Sequence, residues 1–309
     1  MLKNLMNKAA GLALGFAALG VAFLVPLPGR AVAAPAPVAQ DVGHPEMWVV
    51  HGPQGTLYLL GSFHLLQPGA VWEDARIDGA LAKADHVWFE LTGFDDQATA
   101  QQLFMTYGLY ATPELAQHLD PETAKRASDA LARHGMSYDA MQRFKPWAVA
   151  LVLAQKALVD EGFDGGQGVD LTLYHKALAA KKDVEGFETM DMQMSLLAHL
   201  DSSDGATFLK QTLKDEDDGP GEMATLAKAW LHGDEAELVR QAVTEMKADF
   251  PDMYTKAIVD RNLSWMSRIE GMARGQGTTM VVVGAGHMIG PDGVVAHLRA
   301  DGFKVERVP

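Results

Sequence analysis

Cysteine is absent from the 309 residues of the chain, which excludes disulfides, thiolate metal sites and a cysteine nucleophile. Basic residues are scarce: 26 Lys and Arg stand against 40 Asp and Glu, for a formal charge of −14. So acidic a surface repels phosphate backbones and argues against nucleic acid as a general partner. No second long apolar run follows the one near the N-terminus, and no basic amphipathic helix offers attachment to a membrane surface. Stability must come from packing, for which a 48% apolar composition is ample.

What is present at the N-terminus has the layout of an export signal. Lys3 and Lys8 precede an apolar stretch from Ala9 to Leu27, and small residues follow at Ala31-Val32-Ala33-Ala34. This predicts a secretory signal peptide over 1–33, cleaved near Ala33/Ala34, and a periplasmic or secreted protein without stable membrane insertion. The alternative is an uncleaved N-terminal anchor facing the periplasm, since Ala9–Leu27 approaches the ~20 residues that span a bilayer. Gly11, Gly15, Gly20, Pro26 and Pro28 favour cleavage. Losing 1–33 removes Lys3, Lys8 and Arg30 and no acid, so the mature chain is more acidic still. Residues 34–45 read as a flexible N-terminus and 46–309 as one domain.

Strand-like segments cluster at both ends of that domain. Met47–His51 and Thr56–Leu60 flank a Gly52-Pro53-Gln54-Gly55 turn and predict a hairpin. A helix near 72–84 and a strand His86–Leu91 follow. Asp95 to about Lys181 is helical in pattern, Asp183–Phe187 strand-like, and 190–275 helical again, with a long helix from about Phe250 to Arg274. Strand Thr279–Val283, a helix near 293–300 and strand Lys304–Val308 close the chain. The fold class is α/β (mixed α+β): a central mixed sheet formed by both ends of the chain, with a large helical middle at about 95–180 and 190–275.

Two segments, LYLLGSFH ending at His64 and MVVVGAGH ending at His287, each run a strand into Gly-x-x-His. Composition alone supplies roughly one Gly-x-x-His in such a chain, so the shared strand context carries the weight. Strand C-termini are where open α/β sheets build sites. With His64 and His287 at opposite ends of one sheet and Glu90 on the strand between, two imidazoles and a carboxylate match a common hydrolytic metal set for zinc, manganese or cobalt. Without metal, Glu90 held by one histidine could deprotonate water while the other polarises a carbonyl.

The two Gly-x-x-His segments, VWFEL, Lys145-Pro146-Trp147, Gly168-Val169-Asp170, Phe187-Glu188-Thr189, Arg261-Asn262 and Trp265 together resemble the TraB/GumN family across nearly the whole mature chain. That family includes the Tiki metalloproteases, which use two Gly-x-x-His motifs and a glutamate, and it is related to erythromycin-esterase and ChaN-like proteins. The resemblance implies an EreA/ChaN-like fold and a site of His64, Glu90 and His287 acting on a peptide or small molecule. It also implies Arg261, which holds a substrate carboxylate or orients Glu90. The ChaN relationship implies a second possibility, a non-enzymatic protein holding haem or another ligand.

Four other features carry weaker expectations. Gly284-Ala285-Gly286 hints at dinucleotide binding but lacks the spacing and the chain that must follow. Met190, Met192 and Met194 could bind copper(I), though core filling is the simpler expectation. Asp215 to Asp218 read as a solvated acidic loop without calcium spacing. His86, on the Glu90 strand, reads as a hydrogen-bonded core histidine.

Overall fold

The computed structural model describes residues 41–93, 96–199, 202–219 and 221–309. The expected signal peptide, its cleavage site and the flexible stretch up to residue 40 lie outside them. Strand β1 (Asp41–Val42) pairs in parallel with β4 (Ala70–Val71) as a small separate sheet. The main sheet holds β2 (Met47–His51), β3 (Gln54–Ser62), β5 (His86–Leu91), β6 (Asp183–Glu188), β7 (Gln276–Gly284) and β8 (Val305–Arg307), in the order β6-β5-β7-β3-β2-β8. The hairpin β2–β3 and the pair β2–β8 are antiparallel, while β3, β7, β5 and β6 run parallel.

The mixed sheet built from both chain ends is therefore as expected, and the strand order corrects one expectation. Strand β7, which leads to His287, lies between β3 and β5. The two Gly-x-x-His segments are direct neighbours, with Ser62 in register with Gly284, and Glu90 approaches from the far side of β7. Gly61 permits this closeness, since a Cβ there would stand 3.0 Å from Ala285 Cα. The central strands read as continuous apolar runs because helices cover both faces. Met280, Val281, Val282 and Val283 are all buried.

One apolar core surrounds the sheet and a second lies within the helical middle, where Trp147, Phe104 and Leu151 from the early helices meet Phe208 and Leu213 of Ser202–Asp218. Leu196 and Met253 pack against both. Helix starts follow side-chain capping: Asp74 accepts from Arg76 N and Ile77 N, Asp120 from Thr123 N ahead of Pro121, and Thr189 from Met192 N.

The expected helix from Phe250 is interrupted. Residues 239–245 and 255–259 are π-helical, and Phe250 breaks the run at φ −138°, before Pro251. Met190–Ala198 is a helix, so Met192 is exposed while Met194 is buried and the three thioethers do not converge. Asp215 to Asp218 form the last turn of helix Ser202–Asp218 instead of a loop, with Glu216 and Asp217 taken by Arg133 and Arg126. His86 is exposed and bonded to Asp183 at 2.8 Å, neither in the core nor at the Glu90 end of β5. Gly284-Ala285-Gly286 leads into a helix of only four residues, Ala285–Met288. Among the described residues no helix is long and apolar enough to cross a membrane.

Candidate functional site

The four residues singled out in the sequence meet at the C-terminal ends of β3, β5 and β7. His64 lies two residues past β3, Glu90 is the penultimate residue of β5, and His287 sits on the short helix after β7. Their relative exposures are 5%, 2% and 0%, and that of Arg261 is 7%, so each polar group needs an internal partner.

Glu90 is the hub. Its Oε1 accepts from Gly284 N at 2.7 Å and stands 3.9 Å from His64 Nε2 and 3.7 Å from His287 Nε2. Its Oε2 accepts from Arg261 Nη2 at 2.6 Å. Burial pushes the Glu90 carboxyl up, and the nearby Glu188 adds to this, so that it stays above the usual range although Arg261, His64 and the Gly284 N–H pull it down.

Each imidazole is backed by an oxygen on its other nitrogen. Asp170 Oδ2 stands 2.7 Å from His64 Nδ1, a short ion pair off the line of a hydrogen bond. Asn262 Oδ1 meets His287 Nδ1 at 2.7 Å. The Asn262 amide nitrogen donates to the carbonyls of His287 and Asp292, so its oxygen must face the ring. His287 Nδ1 therefore carries the proton, and Nε2 presents a lone pair. Burial lowers the His64 pKa, but Asp170 and Glu90 outweigh it and the net shift is upward. Burial raises Asp170, and the charge of His64 more than reverses it.

Gly168 explains how Asp170 arrives. A Cβ there would lie 2.4 Å from His64 O, and Val169 N donates to Phe63 O at 3.0 Å. The helix Val169–Ala179 thus starts against the His64 loop and delivers Asp170 in its first turn.

Arg261 ties the halves together. Nε and Nη2 bind Glu188 at 2.8 and 2.9 Å, Nη2 also binds Glu90, and Nη1 reaches Ala257 O and His287 Nε2, each at 3.1 Å. Its charge is held firmly: burial lowers its pKa, but Glu90 and Glu188 raise it further. Glu188, at the end of β6, also accepts from Trp265 Nε1 and Gln193 Nε2, both at 3.1 Å. Of the supporting residues, Asp170, Glu188, Asn262 and Trp265 fall in segments already notable in the sequence, though none was assigned a role there. Gln193 carried no signal.

A divalent ion is the cofactor the sequence suggests. Among the described residues no three His, Cys, Asp or Glu side chains form a ready metal site. The separations of 3.9 and 3.7 Å exceed the roughly 3.3 Å between ligands of one tetrahedral ion, and Arg261 covers the His287 lone pair. The donor chemistry nevertheless fits. His287 Nδ1 is held by an oxygen acceptor, as in metal-ligating histidines, the Asp170 carboxylate stands behind His64 Nδ1, and His64 Nε2 is buried without a hydrogen-bond partner. The residues that would hold the ion are His64, His287 and Glu90.

No solved structure matches the chain. A protein of Treponema pallidum (strain Nichols), described as uncharacterized, is 23% identical over 274 residues, covering 84% of this chain and 82% of that one. A sequence model of the TraB/PrgY/gumN family matches residues 46–307, which include the whole His64–Glu90–His287 constellation, and the chain belongs to that family.

Proposed function

We propose that the protein is an exported hydrolase, a divalent-metal-dependent peptidase in which His64, His287 and Glu90 hold zinc, manganese or cobalt. One observation carries this reading: two imidazoles from the paired Gly-x-x-His segments face the same oxygen, Glu90 Oε1, at 3.9 and 3.7 Å. When bound, the ion would supply Lewis-acid polarisation of a carbonyl and a water of lowered pKa. The chain does the rest. Gly284 N and Arg261 fix both Glu90 oxygens, so the carboxylate has one orientation, whether as third ligand or as general base. Asp170 and Asn262 set the two ring planes. Burial of the group excludes bulk water, which strengthens each electrostatic contact.

The metal-free Glu/His esterase is the second reading, favoured by the Arg261 contact to His287 Nε2. The haem-binding alternative has less support, since both Nε2 atoms already face Glu90.

The test is metal uptake by the dialysed protein. About one equivalent of zinc, manganese or cobalt is expected, lost in His64→Ala and in His287→Ala. Uptake unchanged in both variants overturns the metal assignment, and activity that survives chelator but not Glu90→Ala establishes the esterase.

A further inference from the structure

A groove of about 410 Å³ borders Glu188 and Arg261 on one side of the site. Behind His287 the chain is packed solid: His287 and Asn262 are 0% exposed and Tyr254 1%. His287 Nδ1 meets Asn262 Oδ1 at 2.7 Å, so whatever fixes the Asn262 amide also fixes the imidazole. The amide nitrogen donates to His287 O at 3.2 Å and to Asp292 O at 2.8 Å, which makes the Asp292 carbonyl the closer anchor.

Asp292 lies in the turn Gly290-Pro291-Asp292-Gly293, just after the short helix that carries His287. Its side chain ties that turn to another part of the fold. Oδ2 accepts from Tyr254 Oη at 2.9 Å and from Lys247 Nζ at 2.9 Å, and the same Nζ lies 5.3 Å from the centre of the Tyr254 ring. The bond from Lys247 holds the Asp292 carboxyl below its usual range, so it is charged at neutral pH and a strong acceptor.

The π turn at 255–259 explains how one helical run supplies two of these contacts. Tyr254 and Asn262 are eight positions apart, about 2.2 turns of an uninterrupted α-helix, which leaves their side chains roughly 80° apart. A π turn takes up one extra residue, so the same stretch makes about two turns. Both side chains then reach Asp292, one its carboxylate and the other its carbonyl.

We infer that Asp292 is a positioning residue for His287: Tyr254 and Lys247 grip its carboxylate, its carbonyl orients the Asn262 amide, and Asn262 holds the imidazole with Nε2 toward Glu90. The inference rests on the proposed role of His287 in the site, and its test is read first without metal so that the two can fail separately.

The whole metal-free protein is labelled with nitrogen-15 histidine, and proton–nitrogen NMR follows the His287 Nδ1–H, assigned by its loss in His287→Ala. Exchange of this proton with water is expected to speed up about tenfold in Asp292→Ala and about threefold in Tyr254→Phe. In Asp292→Asn, which keeps an accepting oxygen for Tyr254, it should return to within about twofold of the parent. Asp74→Ala, a lost helix cap outside this network, is the control for general destabilisation and leaves the exchange unchanged. Cobalt affinity should fall about tenfold in Asp292→Ala. Circular dichroism checks each fold, and the near-isosteric Tyr254→Phe carries the test if Asp292→Ala does not fold. Exchange unchanged in both Asp292→Ala and Tyr254→Phe overturns the positioning role whatever the cobalt result, and so does exchange that speeds up equally in Asp74→Ala. Faster exchange in the two variants of a protein whose parent takes up no cobalt sustains the positioning role and removes the metal reading.

Discussion

Replacing Glu188 by alanine tests whether the buried ion network is the keystone of the site. The substitution removes the acceptor of Arg261 Nε at 2.8 Å and Nη2 at 2.9 Å, of Trp265 Nε1 at 3.1 Å and of Gln193 Nε2 at 3.1 Å. Arg261 keeps Glu90 at 2.6 Å, so its charge is half compensated. Breaking a buried pair from one side costs roughly 3–5 kcal/mol, and an orphaned indole N–H adds about 1–3 kcal/mol. Water entering from the adjoining groove offsets part of this, leaving an expected loss of about 4 kcal/mol. Glu188→Gln preserves volume and one accepting oxygen and should cost about 2 kcal/mol. Urea unfolding followed by tryptophan fluorescence and far-ultraviolet circular dichroism measures both, and thermal melting should fall by about 10 °C for the alanine variant. In an Arg261→Met background the same alanine substitution should cost about 2 kcal/mol less, because the orphaned cation is gone. A Glu188→Ala protein within about 1 kcal/mol of the parent, or costs that simply add, would refute the reasoning.

Two further outcomes follow from single contacts. Gly168→Ala places a Cβ 2.4 Å from His64 O, and Asp170→Asn removes the charge behind His64 Nδ1. Each should weaken cobalt binding by about 10–100-fold in a calorimetric titration, and unaltered affinity in both would show that Asp170 does not position His64. Asp74 caps helix Ala75–Lys83 and binds Arg76, which in turn reaches Pro45 O and Val308 O, so Asp74→Ala should cost about 1 kcal/mol at neutral pH. Its pKa lies below 3.8, because bonds from Arg76 and from the helix N–H groups outweigh burial. Its contribution is therefore complete above pH 3.8 and vanishes as pH falls through the lower folded value. Stability curves of parent and variant should converge in acid, and a constant gap down to the lowest pH measured would contradict this.

Most elements were legible in the sequence because their periods are unambiguous. Met47–His51 and His86–Leu91 are strands with the expected bounds, and Pro121, Pro146 and the Gly168–Val169 step mark helix starts. The misreadings share a cause. Asp215 to Asp218 look like a loop by charge, yet they finish a helix whose acids meet Arg126 and Arg133 from another helix. Core filling, the simpler expectation for Met-x-Met-x-Met, holds for Met194 but not for the exposed Met192, because helical geometry turns alternate residues apart. The π turns at 239–245 and 255–259 follow from packing and have no periodic signature.

The sequence by itself determined that there are two strand-Gly-x-x-His units, a carboxylate at a strand end, and no sulfur chemistry beyond thioethers, since these are properties of local order and composition. Tertiary structure decided which side chains stand behind them. Asp170 behind His64, Asn262 behind His287 and Glu188 beneath Arg261 are contacts between residues 106, 25 and 73 positions apart. Strand order decided that β7, not β5, lies in the middle. Local sequence fixes φ, ψ and the face a side chain occupies, whereas the partner across a core is chosen by which elements pack together, and no local pattern encodes that choice.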